Sequence, residues 1–155
     1  MISNKAELNV PMKKILFLCT GNYYRSRFAE EFFNYHIAYR NGQSYQAFSR
    51  GLARDIDALR NPGPISKHAL EKLDELNIPP ERSEEYPVSA QASDFHEADE
   101  IIALCKREHR PMMESRFPEF ADNITYWEIE DVQWEEPKQA MNQLVERLNR
   151  FMKRF

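Results

Sequence analysis

The stretch Lys14-Ile15-Leu16-Phe17-Leu18-Cys19-Thr20-Gly21-Asn22-Tyr23-Tyr24-Arg25-Ser26 decides how the chain is read. Four apolar residues in succession, Ile15 to Leu18, suit a strand covered on both faces of a parallel sheet, and Ser26 ahead of Phe28-Ala29-Glu30-Glu31-Phe32-Phe33 suits a helix start. A loop that turns directly into a helix aims backbone N–H groups and the positive end of the helix dipole at one point, which makes a site for a dianion. Gly21 and Asn22, residue types that readily take positive φ, can turn those N–H groups inward. Arg25 adds a planar fork of donors matched to phosphate oxygens. The same field stabilises a thiolate, so Cys19 is a candidate nucleophile. The plain alternative is that Cys19 is a small apolar strand-end residue, as most buried cysteines are.

The chain of 155 residues fits one domain with an ordinary core over residues 13–155, preceded by a loose polar arm over residues 1–12. Acidic residues (25) outnumber basic ones (21), which gives no electrostatic reason to expect nucleic acid or an anionic membrane as partner. Two cysteines, one of them a candidate thiolate, point to a reducing, cytoplasmic setting and away from a disulfide framework. The first residues lack the apolar run of a signal peptide, and no segment is long enough to span a bilayer.

Along the chain, Ala29, Phe32, Phe33, His36 and Ile37 recur at helical spacing, with Asn41-Gly42 as the stop. His36 reads as a packed core residue. Ser44 to Ser49 alternates and is read as a second strand ending at Ser49-Arg50-Gly51. A helical stripe follows at Ile65, Ala69, Leu73 and Leu76, capped by Asn77, and then a long surface connection containing a short helix before Ala98. Ile101 to Leu104 makes a third strand ending at Cys105, Lys106 to Glu114 a helix, and Ile124 to Ile129 a fourth strand. Pro137 opens the last helix, with its stripe at Ala140, Met141, Leu144, Val145, Leu148, Phe151 and Met152. Strands separated by helices imply right-handed crossovers and a three-layer α/β fold, helices covering both faces of a parallel sheet. Ligands in such sheets bind at the carboxyl ends of strands, where Cys19, Ser49, Cys105 and Asp131 all fall.

The loop Cys19-Thr20-Gly21-Asn22-Tyr23-Tyr24-Arg25-Ser26, placed directly after a strand, resembles the phosphate-binding loop of the low-molecular-weight protein tyrosine phosphatases. The resemblance implies four parallel strands in the order 2-1-3-4. It also implies hydrolysis of a phosphate monoester, chiefly phosphotyrosine of a protein or a small aryl phosphate, releasing inorganic phosphate with neither metal nor cofactor. On that pattern Cys19 attacks phosphorus, Thr20 to Ser26 cradle the phosphate, and Ser26 donates a hydrogen bond to the Cys19 sulfur. Ser49 matches a serine that supports the loop Asn22, although an ordinary turn serine is an equal reading. Asp131 stands where the family has its general acid, with Val132 in place of the usual proline and Glu130, then Glu135 or Glu136, as other donors. Tyr23, Tyr126 and Trp134 are the candidate walls of the substrate slot. Arg50, between Ser49 and Gly51, and Tyr24, where the family places a second cysteine, are departures from the pattern.

Two further functions fit the same residues. Thioredoxin-linked arsenate reductases share the loop and have a Leu-Cys pair after the third strand, which Leu104-Cys105 resembles, yet Met112 stands at the spacing of their remaining cysteine. A module that binds phosphate or phosphotyrosine without turning it over is the other.

Overall fold

The computed structural model describes residues 11–129 and 137–155. Its first strand, β1 (Lys13–Cys19), is the centre of the sheet, flanked on each side by a parallel neighbour. Every residue from Ile15 to Cys19 is buried, as a strand covered on both faces requires. A loop leads into α1 (Arg25–Ile37), then a two-residue strand β2 (Tyr39–Arg40) and the long β3 (Gln43–Gly51). The chain continues through a 3-10 turn (Ile56–Leu59), α2 (Lys67–Glu75), α3 (Ala92–Glu97), β4 (Glu100–Ala103), α4 (Lys106–Arg116), β5 (Thr125–Tyr126) and α5 (Pro137–Met152).

The sheet order is β2-β3-β1-β4-β5. Pairings β3-β1, β1-β4 and β4-β5 are parallel and give the anticipated 2-1-3-4 order. The fifth strand is an addition: β2 pairs antiparallel with β3 at one edge. It exists because Asn41 (φ 51°) and Gly42 (φ 78°) both take positive φ, the backbone of a two-residue hairpin turn, so Asn41-Gly42 closes a hairpin and is not the stop of α1.

Alternation along β1 sorts the core into two layers. Ile15 and Phe17 face a cluster with Phe28, Phe33, Leu73, Leu144 and Phe151 from α1, α2 and α5. Leu16 and Leu18 face Phe95, Met113 and Phe117 from α3 and α4. The α5 stripe is buried as anticipated at Ala140, Met141, Leu144, Leu148 and Phe151. His36, by contrast, is exposed at the end of α1, its ring 4.6 Å from that of Phe32. Asn77 takes the left-handed conformation after α2 (φ 59°) as its sequence position suggests.

The connection between α2 and α3 is held by charged side chains of α1 that the sequence gives no reason to bury. Arg27 donates to the carbonyls of Pro64, Arg82 and Glu85, while the Glu31 carboxylate accepts from the backbone N–H groups of Glu81 and Arg82. A long irregular segment must find partners for its backbone groups, and here helix side chains supply them.

Candidate active site

The carboxyl end of β1, the loop after it and the first turn of α1 form one wall of a cleft of about 260 Å³ that Cys19, Thr20, Gly21, Tyr23, Tyr24 and Arg25 line. The opposite wall is Leu59 and Asn61 after the 3-10 turn, with Ser66 and His68 at the start of α2. No acidic residue stands in the first turn of α1, and no side chain caps it, so no residue of the helix's own first turn offsets the positive end of its dipole. The two loop residues expected to turn by positive φ differ. Asn22 does so (φ 52°), while Gly21 does not; a Cβ there would lie 3.0 Å from Leu59 Cδ1 and 3.3 Å from Asn61 Nδ2, a tight fit that those two side-chain ends would have to relieve.

Asn22 organises the loop from inside. Its Oδ1 accepts from the Val88 N–H (2.8 Å), which fixes the orientation of the amide. Its Nδ2 then donates to both Ser26 Oγ (3.0 Å) and Ser49 Oγ (2.9 Å), and Ser49 passes its own proton to the Glu30 carboxylate (2.6 Å). Ser26 Oγ accepts from Asn22 and lies 2.9 Å from Cys19 Sγ, a contact in which either atom can donate. With Cys19 as a thiolate the Ser26 hydroxyl is the donor, and that bond favours the charged sulfur. Ser49 thus bonds both the loop Asn22 and Glu30. Glu30, nearly inaccessible, is ion-paired with Arg82, and burial is the leading cause that raises its carboxyl above the ordinary range.

Arg25 is buried at the base of the cleft. Its NH1 donates to the Ile129 carbonyl (2.9 Å) and to Glu108 Oε2 (3.4 Å), and its NH2 to Glu108 Oε1 (3.4 Å). Thr20 Oγ1 also donates to Glu108 Oε1 (3.0 Å) and lies 3.2 Å from His109 Nε2. The Cys105 N–H donates to His109 Nδ1 (3.0 Å), so the proton of the neutral imidazole sits on Nε2 and points at Thr20. Burial, with the Arg25 charge second, pushes His109 down to about 3 from its ordinary 6.5.

Gly51, at the end of β3, is a further requirement of the site. A Cβ there would come 2.9 Å from the Thr20 carbonyl oxygen and 3.0 Å from the Asn22 nitrogen, so only glycine lets the loop cross the strand end. Arg50 does not enter the cleft: it bonds Asp94 and the Ser49 carbonyl and lies over the Phe48 ring. Tyr23 lines the cleft as expected, held by donation from its hydroxyl to the Pro62 carbonyl (2.6 Å), and Tyr24 packs edge-on against His68. Tyr126 is not a wall of this cleft, because its hydroxyl is bound to the Ala121 carbonyl and its ring packs with the α3–α4 layer. Asp131, Val132 and Trp134, with Glu130, Glu135 and Glu136, lie outside the described residues. Among the described residues no group of three or more potential ligands converges on a metal position, and no helix is long and apolar enough to cross a membrane.

Residues 14–153 match the family described as low molecular weight phosphotyrosine protein phosphatase, and the chain belongs to that family. A low-molecular-weight protein tyrosine phosphatase from T. tengcongensis superposes with a TM-score of 0.72 at 26% identity, covering 92% of this chain and 99% of that one. The YwlE arginine phosphatase from Geobacillus stearothermophilus shares the fold with a TM-score of 0.70 at 22% identity, over 92% of both chains. An arsenate reductase of Bacillus cereus is 25% identical over 150 residues, 91% of this chain and 95% of its own.

Proposed function

We propose that the protein hydrolyses phosphate monoesters through a phospho-cysteine, with protein phosphotyrosine as the substrate class. The observation that carries this reading is the contact of Cys19 Sγ with Ser26 Oγ, itself held by Asn22, set beside a buried Arg25 at the positive end of α1. In the first step the Cys19 thiolate attacks phosphorus and forms the S–P bond as the bond to the leaving oxygen breaks. That oxygen takes a proton from Asp131, because expelling an unprotonated alkoxide or phenolate is costly. In the second step a water attacks phosphorus, Asp131 as carboxylate takes its proton, and the S–P electron pair returns to Cys19. Loop N–H groups and Arg25 stabilise the charge on the equatorial oxygens throughout. The aromatic wall at Tyr23 and Tyr24 favours an aryl phosphate.

The arsenate reductase reading draws on the Bacillus cereus relatives, but Met112 stands at the spacing of the remaining cysteine that thioredoxin-linked reductases need, and a methionine cannot form a disulfide. One assay separates the readings: release of phosphate from a generic aryl phosphate at mildly acidic pH, run beside thiol-dependent loss of arsenate. Aryl phosphate turnover is the expected result; arsenate loss without it supports the reductase, and phosphate binding without either supports a binding module.

A further inference from the structure

We propose that Glu108 is a positioning residue of this site, holding the Arg25 guanidinium and the Thr20 hydroxyl in the arrangement that a pentacoordinate phosphoryl group requires. The inference rests on the phosphatase reading for its consequence, and on geometry for its content. Glu108 lies on the first turn of α4, far in sequence from the loop, yet its carboxylate accepts from three donors of the loop at once: Arg25 NH1 and NH2 and Thr20 Oγ1. In that pair the Arg25 side chain is 3% exposed and the Glu108 side chain 19%, so the pair is largely, not wholly, withdrawn from water.

His109, the next residue, completes the clamp. Its Nδ1 is occupied by the Cys105 N–H, so its Nε2–H is aimed at Thr20 Oγ1, and Thr20 hands its own proton to Glu108. The hydroxyl therefore has one orientation. Arg25 is fixed a second time by the Ile129 carbonyl. A guanidinium locked this way is worth more to a trigonal-bipyramidal transition state, whose equatorial oxygens must be met at set angles, than to a tetrahedral ground state.

The test uses the full chain with Glu108→Gln, which keeps the volume but turns an NH2 toward Arg25. Orthovanadate, which forms a pentacoordinate adduct on a cysteine, and inorganic phosphate, which stays tetrahedral, are compared as inhibitors of aryl phosphate turnover. Both are also measured by protection of Cys19 from iodoacetamide, which needs no turnover. Expected are a fall in kcat of about 10–100-fold, an equal loss of vanadate affinity, and a change in phosphate affinity of less than about threefold. Parallel weakening of both anions, as general damage to the loop produces, overturns the proposal, and so does no change in either. Thr20→Val, which removes only the hydroxyl, should show the same selective loss at smaller size and decides the matter if Glu108→Gln does not fold. Should the wild-type protein fail to hydrolyse aryl phosphates, the phosphatase reading falls, and the two protection curves still judge Glu108.

Discussion

Titrating the protein from pH 7 to pH 4 should cost it stability through one residue, His109. Its imidazole is inaccessible, neutral and already bonded at both nitrogens, and burial together with Arg25 holds it down to about 3. In the unfolded chain the same group titrates near its ordinary 6.5. Below that pH the unfolded state binds a proton that the folded state refuses, so stability falls with falling pH, by about 1.4 kcal/mol per pH unit down to about pH 3. From pH 6.5 to pH 4 the loss is about 3 kcal/mol, a large part of the usual margin of 5–15 kcal/mol. Glu30 works in the opposite sense, since its raised folded value makes the folded state the better proton binder as the pH falls. The assay is therefore a difference: urea unfolding of the wild type and His109→Gln across this range, Gln being unable to titrate while still able to donate to Thr20. The wild-type free energy should fall more steeply, so that the two curves converge or cross toward pH 4. Parallel curves would refute the reasoning, whatever the absolute stability of the variant.

Cys19→Ser and Arg25→Ala should abolish hydrolysis while leaving the unfolding transition within a few degrees of wild type, and Arg25→Lys should also fail, because a point charge cannot meet both Glu108 and a phosphate edge. Substantial turnover by Cys19→Ser counts against covalent catalysis. Asp131→Asn should lower kcat/KM by about 10²–10⁴-fold for an alkyl or poor phenol leaving group and much less for an activated phenol; an equal loss of kcat/KM with both removes Asp131 as the proton donor and directs the test to Glu130. Brief peroxide should inactivate the enzyme with poor recovery in thiol, because Tyr24 stands where the family places a second cysteine and cannot trap an oxidised Cys19 as a disulfide. A Cys19–Cys105 disulfide with full recovery in dithiothreitol contradicts this.

Continuous apolar runs and helical stripes made the parallel strands and main helices legible, because burial alone dictates those patterns. The loop was legible because its chemistry is local: a strand end, two turn-forming residues, an arginine and a helix start lie within a few positions. What was missed depends on partners distant in sequence. Glu108 and His109 lie in the stretch read only as a helix, and only β4 ending beside β1 brings them under Thr20. The available signal was their place one turn after a strand end, where ligands of parallel sheets gather. Arg27, Glu30 and Glu31 carried no mark of burial in the sequence, and are buried because an irregular segment whose backbone groups they partner lies across them. Asn41-Gly42 fits both a helix stop and a hairpin, and only pairing with β3 selects the hairpin. Gly51 carries no sequence mark of the backbone that crosses it.

The central claim is that Cys19 carries the phosphoryl group. Acid quenching during turnover of an aryl phosphate, followed by mass spectrometry of the peptide containing Cys19, tests it directly. The account predicts phosphate on the Cys19 sulfur during the steady state, increased when Asp131→Asn slows attack by water, and absent from Cys19→Ser and from Cys105. Sustained hydrolysis with no phosphate on Cys19, or phosphate recovered on another residue, contradicts it.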